Sequence, residues 1–245
     1  KQKKITFRKM PFSKNIIGKG FIAKNLYKIS NTIEKSDYII YAAGISNSRE
    51  KSNNKFKKEI NLFKKFIDKN QNNKIVYIST ADVTNNLKKR SRYVKNKIKI
   101  EKLIKKCFKN YIIIRLPQII GKFKNKNTLI NFFNDKIKKG KKIELLNNVK
   151  RNLLDINDVL KMIKTILINK KTERKIIILS NKYSLKPIEI IKILELKQRK
   201  KNKYYFKETN KQIWNLNFNK NFKYFNKAKI KFDKDYFKKV INKYY

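Results

Sequence analysis

Short apolar runs alternate along this chain with longer stretches in which apolar side chains recur every three or four positions. The runs KNII (14–17), DYIIYAA (37–43), KIVYIS (74–79), YIIIRL (111–116) and KIIILS (175–180) predict β-strands. Between them, residues 55–68 gather Phe56, Ile60, Phe63 and Ile67 on one helical face, and 93–107 gather Ile100, Leu103, Ile104 and Cys107. A third helix is expected over 157–168, with Asn157 as a candidate cap and Val159, Leu160, Ile163 and Ile166 inward. Pro187 opens a fourth, 187–195. Strands alternating with helices imply an α/β architecture, a doubly wound and mainly parallel sheet. No internal repeat or Gly/Ser-rich linker divides the chain. Residues 1–12 read as an N-terminal extension containing a candidate strand, ITF, and the basic, aromatic tail from about 196 yields no clear element.

Composition narrows the function classes. At 245 residues with 40% hydrophobic and 12% aromatic side chains, the chain has material for a core, which argues against intrinsic disorder. Its apolar runs are all far shorter than the ~18 residues a membrane span requires. The basic start lacks an apolar signal core, and the single cysteine, Cys107, rules out an internal disulfide, so a reducing, cytoplasmic setting is expected. The absence of histidine excludes zinc sites of the Cys/His kind and a Ser-His-Asp triad. The formal charge of +49 invites a nucleic-acid reading. Against it, the basic residues are 58 lysines and eight arginines, spread over the whole chain, whereas phosphate and base-edge recognition favours the arginine fork. Lys, Asn, Ile, Phe and Tyr share A/T-rich codons, so compositional drift accounts for the excess better than selection for binding does.

In so glycine-poor a chain, Gly18-Lys19-Gly20-Phe21-Ile22-Ala23 stands out, following one predicted strand and opening a helix. This is the G-x-G-x-x-G/A arrangement of dinucleotide binding. The glycines permit a tight turn and close approach of a pyrophosphate, and the small third residue lets helix and strand pack. The second strand ends in Ala42, Ala43 and Gly44, small residues that leave room for a ligand above the sheet.

The third strand ends in Ser79 and Thr80, and a helix then carries Tyr93 and Lys97 four apart, on one face. A phenol, with a pKa of about 10, exchanges protons poorly at neutral pH; a neighbouring ammonium stabilises the phenolate and brings it into range. Arg151, just before a helix, is a candidate diphosphate fork. Asp155 and Asp158 read as helix-capping residues rather than a catalytic pair, and Lys122, Lys124 and Lys126 as a solvated loop.

In this order, IIGKGFIA, YIIYAAGISNS, VYISTADV, YVKNK, IIIRLPQIIGK, NKNTLINFF and RNLLDINDVLKMI resemble the extended short-chain dehydrogenases/reductases, the NAD-dependent epimerase/dehydratase group acting on nucleotide-sugars. The resemblance runs from about Lys14 to Leu194 and implies a Rossmann-type NAD(P)-binding core over 13–120. Residues 121–245 would form a mixed part that binds substrate, returns one strand to the core (about 175–180) and ends in the basic tail. It implies Thr80, Tyr93 and Lys97 as the catalytic trio. Gly18, Gly20, Phe21, Ile22, Ala42, Ala43, Gly44, Ser79, Tyr93, Lys97 and Pro117 would line NAD or NADP. Ser46, Asn47, Gln118, Asn127, Thr128 and Arg151 would meet the nucleotide-sugar. Family members often dimerise through helices that include the Tyr/Lys helix.

The chain also departs from that pattern. Ile17 replaces a common glycine, and Thr84 stands where a tyrosine is common. Only about seventeen residues separate Gly20 from Asp37, so the usual second and third strands are missing. The acid expected about 20 residues after the loop, which binds the adenosine ribose, has no clear counterpart, Glu34 being a poor substitute. Thr80 and Tyr93 are closer than usual, and Thr80 is followed by one acid, Asp82, which favours a reductase or epimerase over a dehydratase. The expected activity is hydride transfer at a sugar carbon. The competing readings are a non-catalytic Rossmann scaffold that binds nucleic acid, with the tail YYFKETNKQIWNLNFNKNFKYF as its aromatic surface, or one that senses NAD(P).

Overall fold

A computed structural model describes residues 13–85, 90–123, 125, 128–169, 174–208, 216 and 222–245. The expected extension 1–12, Lys124, Lys126, Asn127 and most of 209–221 lie outside the described residues.

All five predicted strands form, trimmed at their ends: β1 (Ile16–Ile17), β2 (Tyr38–Tyr41), β3 (Lys74–Thr80), β4 (Tyr111–Leu116) and β8 (Lys175–Ile178). They make one parallel sheet in the order β1-β2-β3-β4-β8. Because strand side chains alternate, Ile16, Ile40, Val76, Ile112, Ile114 and Ile177 point to one face. There they meet Leu26 of α1 (Phe21–Leu26), Ile33 of α2 (Ser30–Glu34) and the apolar stripe of α6 (Ile156–Ile168). Ile17, Tyr41, Ile75, Tyr77 and Ile113 point to the other, against Phe63 and Ile67 of α3 (Asn53–Asn70) and Ile100 and Ile104 of α4 (Arg92–Cys107). The sheet is therefore covered on both sides, which is why its strands read as continuous apolar runs.

The steps β1→β2, β2→β3 and β3→β4 all move the same way along the sheet, yet the first crosses on the α1–α2 face and the next two on the α3–α4 face. The first crossover thus has the opposite hand to the others, a rarity among parallel connections. A sheet ordered 3-2-1-4-5, with its second and third strands left out, has this arrangement. Among the described residues β1 is consequently an edge strand, as the short Gly20–Asp37 interval predicts. The crevice survives the loss, because α1 and α3 still leave the carboxyl ends of β1 and β2 towards opposite faces.

A smaller apolar cluster covers that end of the sheet. It joins β5 (Gln118–Ile120) and β7 (Leu153–Asp155), α5 (Leu129–Lys138), β6 (Ile143–Leu146), α7 (Pro187–Gln198) and α9 (Tyr236–Tyr244) around Phe133, Ile137, Ile190, Leu194 and Phe237. The described parts of the tail form elements: β9 (Tyr204–Lys207) pairs with β6, and α8 (Phe222–Lys227) packs Tyr224 and Phe225 into the first cluster. The cap of α6 is Asp155 rather than Asn157, its carboxylate accepting the Asn157 N–H at 2.8 Å. The same carboxylate docks α9 by accepting from Lys243 Nζ and Tyr244 Oη, both at 2.7 Å, while Tyr236 Oη donates to Asp158 at 2.8 Å. These two acids are structural, as their position at a helix start suggests.

The β1–α1 turn depends on Gly18. Its φ is +141°, and a Cβ there would lie 2.6 Å from the Ala42 carbonyl oxygen. Gly18→Ala is expected to destabilise the chain by about 1–3 kcal/mol through backbone strain and displacement of β2; a urea melt with an unchanged midpoint would contradict this packing.

Candidate active site

The carboxyl ends of β1 to β4 open into a cleft of about 340 Å³, roofed by the second cluster. Of the residues singled out from the sequence, the cleft is lined by Gly20, Phe21, Ile22, Ala42, Gly44, Ser46, Asn47, Ser79, Thr80, Tyr93, Lys97, Pro117, Gln118, Thr128 and Arg151. Gly18 and Ala43 do not line it: Gly18 is spent on the close approach to β2, with the Ala43 nitrogen 3.0 Å from its hypothetical Cβ. Asn127 lies outside the described residues.

Tyr93 enters the cleft from the first turn of α4, which Ser91 caps by accepting the Val94 N–H at 3.3 Å. The Tyr93 hydroxyl faces Thr80 at the end of β3, and Thr80 draws its pKa down. The Asp82 N–H, donating at 3.3 Å, fixes the Thr80 oxygen in turn. One turn further along α4, Lys97 places its ammonium 5.6 Å from the centres of both the Tyr93 and Tyr77 rings. Two hydroxyls and one cation thus converge where β3 ends.

Lys97 is 3% exposed and is neutralised from an unexpected direction. Glu59 of α3 accepts from Lys97 Nζ at 3.1 Å, from Asn96 Nδ2 at 2.8 Å and from the Ile45 N–H at 3.3 Å. Burial pulls the Lys97 pKa down and Glu59 opposes that pull. Hence the sequence-based expectation that Lys97 lowers the Tyr93 pKa needs correction for this structure. Burial, then Asp82, raise the Tyr93 pKa above the ordinary phenol value; Thr80 works against them, and Glu59 adds a smaller upward push. The lysine charge is shared with a carboxylate before it reaches the phenol.

Ser79 is committed too. Its hydroxyl donates to Glu101 at 2.6 Å, and Arg115 holds Glu101 through Nε at 3.1 Å and a terminal nitrogen at 2.5 Å. These partners escaped the sequence reading, although a signal existed. Glu59 follows Phe56 by three and precedes Phe63 by four, a charge on the apolar stripe of α3, and Glu101 lies four after Lys97. A charge at such a position requires a buried partner.

At the far end of the cleft, Arg151 is held by paired backbone hydrogen bonds with Leu185, at 2.7 and 2.9 Å. Its buried Nε makes no hydrogen bond. Burial lowers its pKa, Asp82 raises it, and nearby Arg49 lowers it further. Lys150 lines the same end.

With this geometry in view, comparison with known proteins is decisive at the level of family. The model of the NAD dependent epimerase/dehydratase family matches residues 21–179. The chain belongs to that family. Among curated proteins none matches it by sequence. Solved structures similar to this epimerase/dehydratase-family chain include a UDP-glucuronic acid 4-epimerase from Bacillus cereus in complex with UDP-glucuronic acid and NAD. That pair has a TM-score of 0.70 and 16% identity over 87% of this chain and 76% of the other. A UDP-glucose 4-epimerase from Thermotoga maritima with UDP-glucose gives 0.64 and 13%, over 85% and 75%. RMD from Pseudomonas aeruginosa complexed with NADPH gives 0.63 and 16%, over 84% and 79%. At such identities these likenesses establish a shared Rossmann-type fold.

The Lys97–Glu59 pair yields a stability prediction. Glu59→Leu leaves a buried ammonium unpaired and is expected to cost about 3–5 kcal/mol. The double variant Glu59→Leu/Lys97→Met is expected to be more stable than Glu59→Leu alone. Equal urea midpoints for Glu59→Leu and the parent would refute the pairing.

Proposed function

We propose that this chain binds a nicotinamide dinucleotide across the β1–α1 turn and a nucleotide-linked sugar beside it, and acts as an oxidoreductase or epimerase at a sugar carbon. The observation that carries the proposal is the convergence of Thr80, Tyr93 and Lys97 on the same cleft as the glycine turn. The residues present fit the phosphate and nicotinamide portions of the dinucleotide. A Cβ at Gly20 would meet nothing within 4 Å, which leaves the backbone open to a phosphate. Ala42 and Gly44 leave the carboxyl end of β2 low, and Ser79, Pro117 and Lys97 border the space beyond it.

The bound nicotinamide would supply or accept the hydride. Tyr93 would give its hydroxyl proton to the sugar oxygen during reduction and take it back during oxidation. Thr80 would hold that oxygen in line, and Lys97, its charge held by Glu59, would border the reacting end of the cleft beside the Tyr93 ring. Gln118, Thr128, Ser46 and Asn47 would surround the sugar. The unpaired Arg151 Nε, with Lys150 adjacent, suits the diphosphate of the sugar nucleotide.

Two measurements test this. Tyr93→Phe is expected to lower turnover with nucleotide-sugars at least about 100-fold, the usual scale of a lost general acid, while NADH fluorescence titration stays nearly unchanged; retained turnover removes Tyr93 from the mechanism. In the oxidative direction the phenolate is the reactive form, so activity rises with pH through the Tyr93 pKa. Asp82 raises that pKa; Asp82→Asn therefore should move the rising limb of the pH profile to lower pH, and a shift the other way contradicts the assignment.

A further inference from the structure

Lysine is abundant throughout the sequence, but the fold does not display it evenly. On one side of the sheet α3 and α4 expose twelve cationic side chains; on the other, α1, α2 and α6, about two-thirds as long in total, expose three. Of the twelve, Lys55 is paired, with Glu50 at 2.8 Å. The one exposed acid on α3 or α4 is Asp68. The residues outside those described include a single acid, Glu173, too little negative charge to neutralise that side whatever their placement.

The cations are also ordered. Lys95, Lys99, Lys102 and Lys106 recur at helical spacing and form a stripe along α4, and Lys58, Lys65 and Lys69 form another along α3. Each stripe is about 16 Å long at ~1.5 Å of rise per residue. Like charges one turn apart weaken a helix, so the arrangement costs stability until an anion neutralises it. Phe63 and Ile67 of α3 and Ile100 and Ile104 of α4 are turned in against the sheet, which leaves both stripes on the outer surface.

We infer that the α3–α4 face docks the phosphate backbone of a nucleic-acid duplex, without regard to base sequence. A duplex carries one negative charge per ~1.7 Å of axis, so a stripe's length of it presents about ten charges to these seven lysines. Lysines act here as point charges, whereas base-edge readout favours the arginine fork. A single strand would call for exposed rings on which its bases stack, and the aromatic residues of α3 and α4 are all buried or half-buried. A membrane surface would call for an apolar face to sink into it, and that face is spent on the sheet. A second copy in an isologous contact would set the stripes against themselves. The face is separate from the cleft, since Tyr93 and Lys97 turn inward from α4.

The test is fluorescence anisotropy of the full chain with a labelled duplex of about 20 base pairs and mixed sequence, between 0.05 and 0.3 M salt. Lys58→Gln/Lys65→Gln/Lys95→Gln/Lys102→Gln removes four charges from the face, and Lys24→Gln/Lys28→Gln/Lys35→Gln/Lys164→Gln removes four from the opposite side. At 0.15 M the parent is expected to bind with a dissociation constant of about 1–100 μM, the range of sequence-independent contacts. The face variant should bind at least tenfold more weakly and the control within threefold of the parent. The logarithmic salt slope should be shallower by about 2–4 in the face variant alone. Unchanged NADH titration and urea midpoints show that the fold is kept; should the quadruple variant melt early, Lys58→Gln/Lys65→Gln and Lys95→Gln/Lys102→Gln carry the same comparison. Equal weakening by face and control variants reduces the charge to a diffuse field and overturns the inference, as does parent binding weaker than about 1 mM or a preference above tenfold between unrelated duplex sequences. Displacement by poly-glutamate or phosphatidylserine vesicles that is more effective, charge for charge, than by unlabelled duplex also overturns it, in favour of an acidic protein or a membrane.

Discussion

The crevice exists because two adjacent parallel strands send their helices to opposite faces. α1 leaves β1 towards one side and α3 leaves β2 towards the other, so nothing covers the space above the strand ends between them. Gly18 keeps the two strands close enough for this, through an approach to Ala42 that no Cβ would permit. In sheets whose strand order reverses, such a crevice marks the point of reversal. Here the order runs monotonically, and the crevice persists at the cost of one crossover of opposite hand.

Above that crevice the chemistry is set by competition for charge. Lys97 sits 5.6 Å from the centre of the Tyr93 ring, yet its ionic partner is Glu59. Two charges with side chains about 4% exposed must satisfy each other before they act on anything else. Asp82 pushes the phenol further towards its neutral form. Burial and Asp82 together thus hold Tyr93 in its neutral form beside Thr80.

The lysine excess bears on this site less than its size suggests. Of the cationic groups that line the cleft, Lys97 is placed by a buried carboxylate and Arg151 by backbone pairing with Leu185. The remaining charge acts as a salt-dependent field over the whole surface. The tail, basic in sequence, contributes through its aromatic and aliphatic side chains instead: Tyr236, Phe237, Val240 and Ile241 close the second cluster, and Tyr236 and Tyr244 engage Asp158 and Asp155.

The sequence by itself determined the five sheet strands, the helices between them and the glycine turn, because period and backbone permissiveness are local properties. It also determined that Tyr93 and Lys97 share a helical face, and that too little chain follows Gly20 to build two more strands. Tertiary structure decided which distant side chains share the interior: Glu59 with Lys97, Ser79 with Glu101 and Arg115, Tyr236 with Asp158. Those choices depend on which helix packs on which face, information that no single segment carries. It also decided the hand of the first crossover and the position of Glu34 and Asp37 at the amino end of the sheet, since a strand's direction relative to its neighbours exists only once the sheet is assembled.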